Sequence, residues 1–153
     1  MKVRLVRPTD LPQLRTLCDE HAALEDRTIA DPDLSDQWKT AFFGTPAQLF
    51  GWVCDKGDGS SDALTGYMTA AIRLYTWSVK PHLYLDCIYL RPETRRSGLG
   101  RAMFGVLMEF ARERGCSDIQ WHTLLSNEGG IAFYHSLGAV PNMQWSRWSL
   151  SVG

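Results

Sequence analysis

The chain has four cysteines in 153 residues, and no two of them form a Cys-x-x-Cys pair. Cys18, Cys54, Cys87 and Cys116 stand far apart, which excludes zinc-ligand spacing and a dense disulfide framework. His21, His82, His122 and His135 show no metal-ligand spacing either, so no metal is expected. No apolar run approaches the roughly 20 residues that a membrane-spanning helix needs. Met1-Lys2-Val3-Arg4 opens no signal-peptide core, so no membrane partner is expected. Free thiols without an export signal predict a reducing cytoplasm. The formal net charge of −1 lacks the basic excess of general nucleic-acid binders. No internal repeat and no low-complexity linker interrupts the chain.

What is present is ordinary in bulk and uneven in distribution. A 17.3 kDa chain with 44% hydrophobic and 22% charged residues predicts one globular domain over residues 1–153. Between Asp19 and Asp36 seven acids (Asp19, Glu20, Glu25, Asp26, Asp31, Asp33, Asp36) stand against Arg27 alone. Between Arg91 and Arg114 six arginines stand against Glu93, Glu109 and Glu113. One segment suits a cation and the other an anion, although a solvated helix–loop surface also accounts for the acidic stretch.

Periodicity predicts a strand over residues 2–7 and a helix capped by Thr9 or Asp10 that runs to about Leu24. A helix over Ser35 to Phe43 follows, then strands over Gln48 to Cys54 and Leu64 to Tyr75. A strand from His82 to Leu90 leads to a helix from Arg101 that stops at Gly115. Asp118 to Thr123 reads as a strand, Asn127 to Leu137 as a helix and Trp145 to Val152 as a last strand. Antiparallel strands first and a parallel crossover later imply the α/β class, a mixed sheet with helices on both faces.

Arg95-Arg96-Ser97-Gly98-Leu99-Gly100 joins the apolar strand to the amphipathic helix. A glycine-rich turn at a helix start exposes backbone N–H groups and the positive end of the helix dipole, and Arg95, Arg96 and Arg101 add charge. Met103 stands where a Rossmann turn needs a third small residue, and the Gly-Lys-Ser/Thr of a P-loop is absent. Alone, this turn is compatible with a purely structural role.

Downstream, Asn127-Glu128-Gly129-Gly130-Ile131-Ala132-Phe133-Tyr134 precedes Leu137-Gly138-Ala139. Arg-x-x-Gly-x-Gly followed at this separation by Asn-(x)5-Phe-Tyr-x-x-x-Gly resembles the GCN5-related N-acetyltransferase (GNAT) superfamily. Within it the chain looks most like the spermidine/spermine (diamine) and thialysine acetyltransferases. Their Leu-Tyr-Leu-acid stretch recurs as Leu83-Tyr84-Leu85-Asp86, and the likeness is dense only over residues 83–139. The resemblance implies a central mixed sheet with two splayed parallel strands, His82–Leu90 and Asp118–Thr123, and acetyl-CoA as co-substrate between them. It implies cofactor contacts at Ile88, Tyr89, Leu90, Arg95, Arg96, Ser97, Gly98, Leu99, Gly100, Arg101, Asn127, Gly129, Gly130, Phe133 and Tyr134. It also implies a homodimer, to which an apolar, tryptophan-rich final strand adds a motive.

Acetyl transfer to an amine sets a definite problem. An alkylammonium of pKa near 10.4 leaves about one free amine in two to three thousand at pH 7, a deficit of roughly 4.6 kcal/mol. Asp86, an acid within an apolar strand, is the candidate base, directly or through water; a structural pairing is the alternative. The related enzymes carry Glu there. Tyr134 is the candidate donor to the leaving thiolate, and a bulge near Cys87–Ile88 would turn an N–H toward the thioester carbonyl. Cys87 lacks an adjacent His or helix N-terminus that would make it an acetyl carrier. By resemblance Glu25 keeps the acid of a substrate-binding Tyr-Glu pair whose aromatic is Leu24 here. A second acid of those enzymes is replaced by Ser146. Trp38 and Trp77 are the leading aromatic candidates for the acceptor wall, with Trp52 and Trp145 behind them. The expected acceptor is the primary amine of a small molecule: a diamine or polyamine, thialysine, or another amino compound. A protein or peptide amine, or an idle CoA-binding module, remains as the alternative.

Overall fold

Short β-forming runs in the first ninety residues build most of one sheet, with two helices between the first and second runs and turns between the later ones. β1 (Lys2–Leu5), β2 (Phe50–Asp55), β3 (Leu64–Leu74) and β4 (Pro81–Leu90) pair antiparallel in chain order. β5 (Ile119–Gln120) adds to β4 in parallel, which closes a mixed five-stranded sheet. The computed structural model describes residues 1–60 and 62–153 and divides into two compact units, Met1–Trp121 and His122–Gly153.

In the first unit α1 (Leu11–Leu24) buries Leu11, Leu14 and Leu17, three positions at helical spacing, against Val53, Tyr67 and Tyr89 of the sheet. α2 (Ser35–Phe43) adds Phe42 to the same cluster and ends before Gly44. α3 (Leu99–Glu113) buries Leu99, Met103, Phe104 and Leu107, and its Phe110 meets Phe50 and Trp52 at ring distances of 4.8 and 5.0 Å. Trp52 and Val53 are consecutive, so they point to opposite sheet faces, and the helices cover both. Buried charge is paired here: Arg4 donates to Asp10 and to Asp55, and Asp10 also accepts from the Arg7 N–H at 2.7 Å.

The second unit holds α4 (Glu128–Ser136), capped by Asn127, whose Oδ1 accepts from the Gly130 N–H at 3.1 Å. Gly138 closes it with a φ of +83°.

Two expectations need correction. No strand forms over Trp145 to Val152 among the described residues, and Trp148, Leu150 and Val152 stand almost fully exposed. Apolar alternation describes a strand's side chains, but a strand exists only as a ladder, and among the described residues no backbone pairs with this segment. Asp118 to Thr123 shortens to two residues, because only Leu83↔Ile119 and Tyr84↔Gln120 pair before β4 and β5 part.

Candidate active site

β4 carries one residue too many for its neighbour. Thr69 pairs with Cys87 and the next residue, Ala70, with Leu85, which leaves Asp86 without a partner on β3. This is a β-bulge, and it turns two consecutive side chains the same way. Asp86 and Cys87 both line one cavity on the α1 face, although strict alternation would separate them. The bulge expected near Cys87–Ile88 therefore exists one residue earlier, centred on Asp86. On the other side of β4 the β5 ladder ends at Tyr84, so the strand from Leu85 onward is paired only with β3.

The cavity has a volume of about 280 Å³. Its walls are apolar, from Leu14, Ile29, Trp38, Phe42 and Leu49. Glu25 from the end of α1 and Asp86 from the bulge face it, with Arg27 at its border. The chain reaches Arg27 through Asp26, a non-glycine residue at φ +53°, after which the Arg27 N–H donates to Ala22 O at 2.8 Å. Most other acids of the stretch are spent locally: Asp19 pairs with Arg15, and Asp36 with Lys39. Glu20 accepts from Arg91 at 2.8 Å and from the Tyr89 hydroxyl at 3.1 Å. Asp86 meets no arginine or lysine among the described residues; the Cys87 thiol donates to it weakly at 3.7 Å.

His21 and Tyr67 are the polar floor; sequence reasoning gives His21 only as solvent-facing or hydrogen-bonded, and it does not single out Tyr67. His21 Nδ1 lies 2.8 Å from the Tyr67 hydroxyl, its Nε2 lies 3.6 Å from Glu25 Oε1, and its ring stacks on Tyr89 at 5.3 Å. Burial pulls the His21 pKa below its ordinary value, with the Glu25 carboxylate opposing, so the ring is neutral at neutral pH. Burial holds the Tyr67 phenol protonated and lifts the Cys87 thiol to about 11. A thiol so placed is a poor nucleophile, in keeping with the argument against an acetyl carrier. The available signal was spacing: Leu14, Cys18, His21 and Glu25 fall on one face of α1, continuous with its apolar stripe.

Of the tryptophans, only Trp38 reaches this cavity. Trp77 sits on the β3–β4 turn at 98% exposure, and Trp145 is exposed in the second unit. Trp52 is buried against Phe110. The turn chemistry explains Trp77: Tyr75 and Val79 close the hairpin by backbone hydrogen bonding, which leaves the tip nothing to pack on.

The glycine turn has its own geometry. Arg96 adopts φ +60° and Gly98 φ +87° immediately before α3, which starts with no side-chain cap and no acid in its first turn. A Cβ on Gly98 would meet nothing within 4 Å, so glycine is required there by the backbone conformation and not by crowding. Leu99 is buried and anchors the turn, while Arg95, Arg96 and Ser97 are exposed. Ser97 Oγ donates to Thr94 O at 2.6 Å and Arg95 Nε to Leu90 O at 2.9 Å. Of the other cofactor candidates on β4, Ile88 pairs with Met68, Tyr89 with Tyr67 and Leu90 with Gly66.

In the second unit Gly130 is fixed by its cap: an added Cβ would lie 2.3 Å from Asn127 Nδ2. Gly129 has open space around it. Phe133 and Tyr134 follow on α4 with their rings 5.8 Å apart.

Comparison with known proteins fits this geometry. The profile described as "Acetyltransferase (GNAT) family" matches residues 13–139. A thialysine N-epsilon-acetyltransferase of Caenorhabditis elegans is 26% identical over 141 residues, 89% of this chain and 88% of that protein. The Sus scrofa protein of the same name is 30% identical over 92 residues, which span 60% of this chain and 54% of that one. Among solved structures, an aminoglycoside acetyltransferase from a soil metagenome, in complex with sisomicin, superposes with a TM-score of 0.78. It is 17% identical, covering 99% of this chain and 96% of that one. A ribosomal-protein-alanine N-acetyltransferase of Brucella melitensis gives 0.76 at 17% identity, with 98% and 97% covered.

Proposed function

Because the chain belongs to the acetyltransferase (GNAT) family, whose co-substrate is acetyl-CoA, we propose that it acetylates the primary amine of a small cationic molecule by direct attack in a ternary complex. The observation that carries this reading is the α1-face cavity, where Glu25 and Asp86 face apolar walls without a basic partner for Asp86. Two carboxylates beside Trp38 suit an ammonium on a short hydrocarbon chain. About 280 Å³ is at the lower end of small-molecule sites and favours a compact acceptor over a long polyamine.

Arg27 sharpens the class. It is the one cation in an acidic stretch, it borders the cavity, and it has no ion-pair partner among the described residues. An acceptor carrying a carboxylate as well as an amine would engage both Arg27 and the two acids. Thialysine, named in the nematode and porcine relatives, has that chemistry.

In this reading the turn Arg95–Arg101 takes the pyrophosphate, using α3's N-terminus and the nearby arginines. The side of β4 that faces away from β3 offers backbone groups from Leu85 to Tyr89 to the pantetheine amides, as an added strand would, while Leu90 O already accepts from Arg95 Nε. The family resemblance also assigns cofactor contacts to Asn127, Gly129, Gly130 and Phe133. Asp86 assists deprotonation of the amine, as acceptor or by holding the ammonium against the group that accepts. Tyr134 assists departure of the thiolate: a thiol near pKa 8.5 against a phenol near 10 makes full proton transfer uphill by about 2 kcal/mol. One domain over residues 1–153, a homodimer and a cytoplasmic setting belong to the same proposal. Sedimentation showing only a 17.3 kDa species at micromolar concentration would remove the dimer.

The test is release of free CoA from acetyl-CoA with thialysine, lysine, diamines, polyamines and aminoglycosides as acceptors. Fastest turnover of thialysine, lost on Arg27→Ala while a diamine is unaffected, is the expected result. Turnover of a peptide amine in preference to every small amine would overturn it.

A further inference from the structure

The ammonium needs a proton acceptor, and an ordinary carboxylate is a poor one. Its pKa near 3.9 lies about 6.5 units below an alkylammonium, whereas an imidazole near 6.5 lies about 4 units below. The cavity floor supplies an imidazole. We propose that Tyr67 and His21 form a relay that carries the acceptor's proton away, with Glu25 steadying the imidazolium that results. This rests on the reading of the cavity as the acceptor site.

The geometry gives the direction of transfer. His21 Nε2 lies 3.6 Å from Glu25 Oε1, so the carboxylate favours the tautomer with hydrogen on Nε2. That leaves the Nδ1 lone pair to accept from the Tyr67 hydroxyl, 2.8 Å away. When an ammonium held by Asp86 and Glu25 gives its proton to the Tyr67 oxygen, the original Tyr67 O–H proton passes to His21 Nδ1. One N–H bond of the ammonium breaks and one N–H bond of the imidazolium forms. Tyr67 ends with one proton, as it began, and never becomes a phenolate, the form that its burial opposes. The amine nitrogen keeps the lone pair that attacks the thioester. His21 later releases its proton to solvent, which completes the net loss of one proton per acetyl transferred.

The surroundings support a relay more than a purely structural contact. A buried Tyr–His hydrogen bond inside an apolar cluster needs no carboxylate at the far nitrogen, yet Glu25 is one helical turn on from His21. The ring meets Tyr67 of β3 and Tyr89 of β4, with Glu25 just past the end of α1 and Arg95 of the glycine turn acting on its charge. Cys18 of α1, Arg27 of the α1–α2 loop and Asp86 and Cys87 of β4 line the same cavity. The Glu25 carboxylate favours an imidazolium during turnover, while burial and Arg95 keep the resting ring neutral and able to accept.

The experiment compares pH profiles of kcat/KM for thialysine in the wild type, Tyr67→Phe, His21→Gln and the double variant. At pH 7.5 each single variant is expected to lose about 10- to 100-fold, at the lower end of general acid–base effects. Its residual rate should climb with pH toward the amine's own pKa, where the wild-type advantage vanishes. The double variant should be no slower than the slower single one, and the KM for acetyl-CoA should not move. A loss equal at every pH, or wild-type profiles in both variants, overturns the relay. Should Tyr67→Phe not fold, His21→Gln decides alone. A wild type that releases no CoA with any amine would instead defeat the functional reading. The relay is judged separately by 15N NMR of the wild-type histidines at pH 7.5. A neutral His21 protonated at Nε2 is expected, and hydrogen on Nδ1 overturns it.

Discussion

Two groups of carboxylates in the first unit have opposite surroundings. Asp10 and Asp55 share Arg4, at 2.7 and 2.8 Å, and both also accept backbone N–H groups, from Arg7 and Gly57. Asp86 and Glu25 face an apolar cavity, Asp86 with only a thiol against it among the described residues and Glu25 with an uncharged imidazole. The first pair is a closed account of donors and acceptors that pins β1 to β2 and to the start of α1. The second has acceptor capacity left over beside room for a guest. Unspent charge beside a cavity is what distinguishes a site from a strut.

The largest test of that distinction is Asp86→Asn. It should lower kcat/KM by about 10²- to 10⁴-fold, with the remaining activity displaced to higher pH, while thermal stability hardly changes. A large fall in Tm without loss of rate in the folded fraction would make Asp86 structural after all. Arg4→Met should do the reverse. It strands Asp10, only 6% exposed, and should cost about 3 kcal/mol in urea unfolding with kcat/KM intact.

Weaker still is Gly98→Val, which opposes the φ of +87° at the entry to α3. Calorimetry should show acetyl-CoA binding weakened at least about tenfold, and unchanged affinity in a folded variant would remove the pyrophosphate assignment. The smallest effect belongs to Asp55. The Arg4 hydrogen bond and then the Gly57 N–H hold its folded pKa below the ordinary value. Its stabilisation is therefore full above about pH 3.9 and disappears as pH falls through the lower folded pKa. Asp55→Asn should cost about 1 kcal/mol at pH 7 and close to nothing at pH 2, read from urea midpoints.

The comparison also shows what a sequence can convey. Helical spacing located α1, α2 and α3 within a residue or two, because burial of one stripe is a local pattern. Asp86 and the glycine turn stand out in the sequence as candidates because each breaks a rule of its neighbourhood, an acid in an apolar strand and two glycines at a helix start. His21 and Tyr67 break no such rule: an imidazole beside cysteine and leucine is ordinary, and its phenol partner lies 46 positions away. Pairings of that range are set by sheet register, which periodicity alone does not encode. The reading of Trp145 to Val152 as a strand failed for the same reason, since alternation names a face and never a neighbour.

The extra residue in β4 has a consequence for how this chain tolerates change in length. Remove Asp86 alone, and Leu85 and Cys87 become adjacent opposite Ala70 and Thr69, which are already adjacent on β3. The ladder would run without interruption, so a single-codon deletion at this point mends the sheet while it removes the carboxylate on which the proposed reading depends. The most regular sheet this chain could form would thus lack the carboxylate proposed to hold the ammonium, and the proposed chemistry depends on a residue that backbone pairing alone does not need.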